Sequence, residues 1–191
     1  MAKMIVRPQW ATYIYVNDNN GPAHYADGFI KIGIFGNPGP LVYYQKAIVK
    51  FANTNRIPVA NISQVLMHFY VNSLNSPDNL KAYQVLKPVT RDAAWRIYAP
   101  DISWDVPGCG GSGDKGSTNL VLYQGSYSGP GWSTAILDKD QYVNMRDNDR
   151  ALVFELYNNG SDVNINNATA APSLEISYTG SFASRRGIMI V

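Results

Sequence analysis

The stretch QVLMHFYV at residues 64–71 alternates its side chains with a period of two, and so does the run AIVKF at residues 47–51. A period of two is typical of strands that bury one face. In the longer stretch it predicts a buried face of Val65, Met67, Phe69 and Val71 and an opposite face of Leu66, His68 and Tyr70. The two runs therefore indicate an all-β protein.

Other short apolar runs are bounded by clusters of Gly, Pro, Asn or Asp, as strands are. These candidate strands are Thr12 to Val16, Phe29 to Ile34, Leu41 to Tyr44, Leu80 to Val85, Leu120 to Tyr123, Thr134 to Leu137, Leu152 to Tyr157 and Leu174 to Tyr178. About ten short strands favour two packed sheets. We expect a single domain over residues 1–180, a two-sheet antiparallel β-sandwich of jelly-roll type with long loops.

Two segments between the strands have a different character. Residues 139–146 are suited to a helix of one or two turns, with Asp138 as its N-terminal cap. Residues 107–114 are rich in glycine and predict a long loop.

Residues 181–191 follow the last predicted strand and end in the apolar run Gly187-Ile188-Met189-Ile190-Val191. One interpretation is an extra edge strand that folds back on its own sheet. The other is an assembly arm that adds to a neighbour's sheet edge. Its candidate contact residues are Arg185, Arg186, Ile188 and Ile190.

Composition excludes several classes of protein. The formal net charge is +2 and the basic residues are scattered, so we expect no nucleic-acid partner. The N-terminus lacks the apolar core of a signal peptide, and no stretch approaches the roughly 20 apolar residues of a spanning helix. We therefore expect no export signal and no membrane partner. A single cysteine, Cys109, cannot form an internal disulfide.

Residues suited to catalysis are scarce. The chain has two histidines, His24 and His68, and no P-loop, GxSxG or HExxH motif. A nucleophile pair of Cys109 and His68 has no family motif to support it. We therefore predict a protein that is not an enzyme.

Asn and Asp cluster at residues 17–20, 138–140 and 147–149. Their oxygens are the ligands that Ca²⁺ prefers, but none of the clusters has EF-hand spacing. Asn and Asp are also ordinary turn residues, and turn chemistry is the favoured interpretation. We predict no cofactor and no metal, with a structural Ca²⁺ as the open alternative.

Exposed aromatic side chains can stack on sugar rings while amides and guanidinium groups bind the hydroxyls. Core packing is the competing role of any Trp or Tyr in a sandwich. We favour core packing for Trp104 and exposure for Trp132, which follows a Gly-Pro-Gly turn. The candidate ligand-binding residues are Tyr98, Trp104, Tyr127, Trp132 and Arg96.

Four pieces of this sequence occur in an order and spacing that match a known family. They are residues 12–15 with 29–33; residues 47–51, Ile57-Pro58 and residues 62–70; Trp95 and Ser103-Trp104 with Pro107-Gly108 and Asp114; and residues 172–178. Over residues 11–178 the chain resembles the DNRLRE domain family, a β-sandwich group that includes alginate-binding carbohydrate modules. The chain departs from that family at Ala171, where members carry a basic residue, and in a shortened Trp loop. The resemblance therefore implies the fold rather than a sugar site.

DNRLRE-like domains also resemble modules of bacteriophage structural proteins. We expect a non-enzymatic virion protein, a capsid decoration, cement or fibre subunit, which is made in the host cytoplasm and forms homo-oligomers. It would bind other virion proteins through its loops and terminal arms. The alternative is an extracellular carbohydrate-binding module that recognises a polysaccharide through loop aromatics.

Overall fold

The chain folds into an all-β structure with one α-helix among the residues described, and a 3₁₀ turn at Val59–Asn61 precedes one of the strands. The computed structural model describes residues 1–16, 29–36, 42–52, 56–75, 80–124, 131–156, 162–166 and 171–180. The strands are Ala2–Val6 (β1), Pro8–Tyr15 (β2), Phe29–Gly36 (β3), Val42–Phe51 (β4), Ile62–Asn75 (β5), Lys81–Gln84 (β6), Ile97–Ala99 (β7), Ile102–Ser103 (β8), Val121–Gln124 (β9), Gly131–Leu137 (β10), Leu152–Glu155 (β11), Asp162–Asn166 (β12) and Ser173–Tyr178 (β13). The helix is Lys139–Asp147 (α1).

The strands form two antiparallel layers. The front sheet has the order β1-β13-β5-β10-β9, and the back sheet has the order β2-β4-β11-β6. Strands β3 and β12 connect the layers, because β12 pairs with both β5 and β3, and β3 pairs with β4. The result is a β-sandwich with continuous hydrogen bonding from one sheet to the other. β7 and β8 form a separate two-stranded ribbon.

The main core lies between the two sheets. Strand β5 contributes Val65, Met67, Phe69 and Val71 to it, while β4 contributes Ala47, Val49 and Phe51. The alternating burial along β5 confirms the two faces predicted from its period of two. Alternation has this effect because successive strand side chains point to opposite faces of the sheet.

The back sheet is buried on its outer face as well. Residues 86–118 run across that face and complete a second apolar cluster with side chains from every back-sheet strand. This explains the run LVFE of β11, in which all four residues are buried. Strands that are covered on both faces lose the alternation of a half-buried strand.

Helix α1 closes one end of the sandwich. Asp138 caps it by accepting hydrogen bonds from the backbone nitrogens of Asp140 and Gln141, at 2.9 and 3.0 Å, as the sequence predicted. Tyr142 and Met145 enter the main core. Arg146 donates from Nη1 to the carbonyl oxygen of Ile57, 2.7 Å away, which ties the helix to the segment before β5.

The structure also corrects parts of the predicted strand map. Residues 41–44 and 47–51 were expected to form two strands, whereas residues 42–51 form the single strand β4. Strands β1 and β12 and the short β7 and β8 were not predicted. The two alternating runs lie in different sheets, because β4 pairs with β2, β3 and β11 while β5 pairs with β10, β12 and β13. The jelly-roll connectivity stays a prediction, and residues 181–191 lie outside the described residues.

Candidate functional site

Trp104 anchors the segment of residues 86–118, which we call the covering loop, to the back sheet. Its side chain is 4% exposed and belongs to the second apolar cluster with Ile48 and Val153. Its Nε1 donates to the carbonyl oxygen of Ala94 at 3.0 Å, so the buried indole N–H has a partner. The ring of Tyr98 lies 5.4 Å from the Trp104 ring, centroid to centroid. The predicted core role of Trp104 is confirmed.

Asp114 holds the glycine-rich part of the covering loop in place. Its buried carboxylate accepts backbone hydrogen bonds from Asp105, Val106 and Gly111, at 2.9, 3.0 and 2.8 Å. Gly108 has a φ of +77°, and a Cβ there would lie 2.5 Å from the Trp95 ring. The turn therefore requires glycine at this position. The segment predicted as a long loop is a closely packed one.

A cluster of three charged side chains lies between the covering loop and the back sheet. Glu155, whose side chain is 6% exposed, is 2.8 Å from Lys46 Nζ and 2.6 Å from Lys115 Nζ. Burial acts to raise the pKa of the Glu155 carboxyl, but the charge of Lys46 and the hydrogen bonds from both lysines outweigh it and hold that pKa below its ordinary value. The lysines also face aromatic rings, Lys115 over Tyr83 at 4.6 Å and Lys46 over Trp95 at 6.0 Å.

A cleft of about 290 Å³ opens at Trp95, the ring that Lys46 faces. Its walls are mostly apolar, and its polar groups come from one arginine and one serine, both exposed. The lining residues are Val16, Trp95, Arg96, Ser103, Trp104 and Pro107. A half-buried indole next to a guanidinium group can stack on a ring and donate hydrogen bonds to its substituents.

The outer face of the front sheet carries a second candidate surface. Leu122 and Trp132 are 64% and 62% exposed. The Trp132 ring makes an edge contact with Tyr70 at 5.6 Å between centroids. Leu66 and Ile136 lie opposite each other in neighbouring strands of this face and are half-buried. We call these five residues the outer-face stripe. The predicted exposure of Trp132 is confirmed.

The structure brings only some of the predicted ligand-binding residues together. Arg96 and Trp104 line the cleft, and Tyr98 packs against Trp104. Trp104 is a buried wall rather than an open stacking surface. Trp132 lies on the front sheet, away from the covering loop on the back sheet. Tyr127 and the arm residues Arg185, Arg186, Ile188 and Ile190 lie outside the described residues.

Sequence reasoning missed the charged cluster and part of the cleft. Lys46, Glu155 and Lys115 come from distant parts of the chain, so no local motif marks them. One signal was present, because the period of two in β4 places Lys46 on the same face as the buried Ile48. The cleft residue Trp95 was noted only as part of the resemblance.

The residues considered for catalysis and for metal binding have other environments. Cys109 is buried in the second apolar cluster, where burial raises the pKa of its thiol to about 12. His68 lies on the front sheet, 3.3 Å from the hydroxyl of Thr134. Asp147 pairs with Arg146 and Asp149 with Lys50, at 2.8 and 3.0 Å.

Two searches of the described residues were negative. In the described ranges, no three His, Cys, Asp or Glu side chains are grouped as metal ligands. The same part of the chain contains no helix that is both long and apolar enough to cross a membrane. Residues 17–20, one of the clusters considered for the alternative of a structural Ca²⁺, lie outside those ranges.

No protein-family model matches the chain, and no curated protein matches it. The resemblance to the DNRLRE family therefore stays a prediction from the sequence.

Proposed function

We propose that the protein is a non-enzymatic structural subunit of a virus particle, a decoration, cement or fibre protein that binds neighbouring copies of itself. The viral context comes from the sequence resemblance to domains akin to bacteriophage structural modules. The assembly role has structural support in the outer-face stripe.

The exposed part of the stripe is the observation that carries this proposal. Trp132 and Leu122 are large, apolar and more than half exposed, and they belong to strands β10 and β9 rather than to a loop tip. An exposed tryptophan backed by a second aromatic ring, as Trp132 is by Tyr70, is the kind of side chain that is enriched in interfaces. Tryptophan in particular is enriched among the residues that dominate binding energy in interfaces.

The edge of the front sheet offers a second contact. Strand β1 pairs with β13 on one side, and no described strand pairs with its other side. An unpaired strand edge presents backbone donors and acceptors to a neighbouring strand. Trp132 and Leu122 lie three and four strands away from this edge, on β10 and β9, so the edge is a separate contact from the stripe.

Replacing Trp132 with alanine is expected to weaken self-association about 30-fold, the effect of losing a contact worth about 2 kcal/mol. Sedimentation velocity over a range of protein concentrations measures this dissociation constant. Val106→Ala is the matched control, because Val106 is also exposed, at 49%, but lies in the covering loop. A wild-type chain that stays monomeric throughout the micromolar range, or equal effects of the two substitutions, would contradict the proposal.

A second candidate function is carbohydrate binding at the cleft. It is favoured by the combination of an indole, a guanidinium group and a serine hydroxyl around a cleft of about 290 Å³. A site of this size suits one or two rings of a polysaccharide held by stacking and a few hydrogen bonds.

Replacing Arg96 with alanine is then expected to weaken polysaccharide binding about 10-fold, because a hydrogen bond from a charged group contributes about 1.5 kcal/mol or more. Affinity electrophoresis in gels that contain neutral or acidic polysaccharides measures the change. Arg56→Ala removes the same charge outside the cleft and serves as the control. Binding that is lost on Trp132→Ala but kept on Arg96→Ala would place the sugar on the front sheet instead.

A further inference from the structure

Among the described strands, the two sheets have four edges, and the chain itself closes one side of the sandwich. The edges on that side are β6 and β9. The amide of Leu120, which immediately precedes β9, donates to the carbonyl oxygen of Ala82 in β6 at 2.8 Å. The side chain of Gln124 in β9 accepts from the amide of Leu80 at 2.7 Å. These contacts occupy both edges.

The other side of the sandwich carries the edges of β1 and β2, which follow each other in the chain. Strand β2 has two of the features that keep sheet edges from pairing. It begins with Pro8, and its register with β4 shifts between Pro8 and Trp10. Strand β1 has neither feature, since its five residues include no proline and pair with β13 in one continuous register. Of the four edges, β1 is therefore the one suited to a further strand.

The charge in β1 does not block this edge. Lys3 is the single charged residue of the strand, and a lysine at a sheet edge normally discourages pairing. Its Nζ is 2.8 Å from the carboxylate of Glu175 in the neighbouring strand, so its charge already has a partner. Ile5 lies on the same face and is 44% exposed. The outer face of the β1 edge is thus apolar or charge-paired.

The sequence of β1 suits antiparallel pairing with a second copy of itself. Residues directly opposite each other lie on the same face of the sheet, so a two-fold axis has to pass through a residue of β1 and not between two residues. An axis at Met4 places Lys3 opposite Ile5. An axis at Lys3 would place the two Lys3 side chains opposite each other, and an axis at Ile5 would place Lys3 opposite Arg7. Like charges directly opposite each other are destabilising, which favours the axis at Met4.

We propose that β1 pairs with β1 of a second copy in antiparallel orientation, with Met4 on the two-fold axis and Lys3 opposite Ile5 of the other copy. The pairing joins the two front sheets and brings the inward-facing Met4 side chains, each 8% exposed, together where the two cores meet. It names the partner of the edge contact and rests on the proposed self-association. Because the edge and the outer-face stripe are separate contacts, subunits that use both form assemblies larger than dimers.

Disulfide formation between two variants, each with one new cysteine, tests the register. Lys3→Cys and Ile5→Cys place thiols on the exposed outer face. Residues directly opposite each other have Cα atoms about 5 Å apart, which a disulfide can span. Residue 3 lies about 8 Å from residue 3 of the other copy, beyond that reach, and so do the two residues 5. After oxidation, a mixture of the variants should give a covalent heterodimer, whereas each variant alone should stay monomeric.

The pattern of cross-links on a non-reducing denaturing gel decides the register. A size tag on one variant distinguishes the heterodimer from either homodimer. The natural Cys109 is buried, and the unchanged chain oxidised in parallel measures its background. A homodimer of either variant that equals the heterodimer in yield overturns the register. Absence of the heterodimer at protein concentrations up to about 1 mM overturns the pairing.

A charge exchange tests the same register in solution. Trp132→Ala removes the main contact of the stripe, and sedimentation velocity then measures the edge contact that remains. Ile5→Lys puts a second positive charge opposite Lys3 at both pairs of the dimer and should weaken this association about 10-fold. Lys3→Glu added to Ile5→Lys makes both pairs attractive and should restore it. Both substitutions are at exposed positions, and residue 5 lies opposite Glu175 in its own chain, so the fold is retained.

The two experiments separate the edge pairing from the contact at the stripe. A cross-link between residues 3 and 5 that forms equally well in Trp132→Ala supports the edge pairing as an independent contact. Association that depends on Trp132 but gives no such cross-link overturns the pairing and leaves self-association through the stripe in place. Equal weakening by Ile5→Lys with and without Lys3→Glu also overturns the pairing.

Discussion

Replacing Glu155 with alanine is expected to lower the free energy of unfolding by about 3 to 5 kcal/mol, because the change leaves Lys46 and Lys115 without their shared counter-charge in a buried site. Urea denaturation followed by far-ultraviolet circular dichroism measures the loss. Replacing all three charged residues by apolar ones of similar size should cost much less, since the desolvation of unpaired charges is then removed.

Glu175 provides the matched control for this prediction. It is paired with Lys3 at 2.8 Å, but the Lys3 side chain is 64% exposed. Glu175 itself is 16% exposed, so this pair is open to solvent on the lysine side, and its removal is expected to cost about 1 kcal/mol. Equal losses in the free energy of unfolding for Glu155→Ala and Glu175→Ala would show that the buried cluster contributes no more to stability than the more exposed ion pair.

The same cluster gives the protein an acid-sensitive component of stability. The pKa of Glu155 is lower in the folded chain than its ordinary value of 4.5, so the folded state favours the ionised form. This contribution is present above that ordinary value and is lost as the pH falls through the folded-state pKa. The acid dependence of unfolding should therefore become shallower in Glu155→Ala.

Replacing Trp104 with alanine is expected to destabilise the protein by about 3 to 5 kcal/mol, because it leaves a large cavity under the covering loop. It also leaves the carbonyl oxygen of Ala94 without its indole donor. The labelling rate of Cys109 is a second measurement, since Cys109 belongs to the same cluster and becomes reactive as the loop loosens.

Trp132→Ala is the control for the stability effect of Trp104→Ala. An exposed tryptophan contributes little to folding, and a substitution there should change the free energy of unfolding by about 0.5 kcal/mol or less. If Trp104→Ala instead kept full stability and lost only polysaccharide binding, the indole would be part of an open binding surface and not of the core.

The sequence predicted the elements whose signals are local. The alternation in β5 identified its buried face, because that sheet has one face toward the core and one toward solvent. Asp138 identified the start of α1 because a cap acts on the next two or three residues. Strand pairing was not accessible in this way, since β4 takes partners from residues 8–15, 29–36 and 152–155.

The residues of the candidate site also divide into those that a local pattern selects and those that only the fold brings together. Arg96, Tyr98 and Trp104 lie within nine residues, so a local aromatic pattern was enough to select them. The cluster of Lys46, Lys115 and Glu155 depends on long-range pairing of β4 with β11 and on the covering loop. No spacing rule connects such residues before the fold is known.

The covering loop has a consequence for the order of folding. The sheet face that it packs against is formed by β2, β4, β6 and β11, whose residues range from the beginning of the chain to position 155. Contacts between such distant segments form only after the entropy of closing long loops has been overcome. The loop can therefore acquire its native packing only after the back sheet has formed. Three strands of that sheet precede the loop in the sequence, and β11 follows it. A chain in which the covering loop has not yet packed would expose Ile48 and Val153 on the outer face of the back sheet. Misassembly would then begin on that face, which is on the opposite side of the sandwich from Trp132.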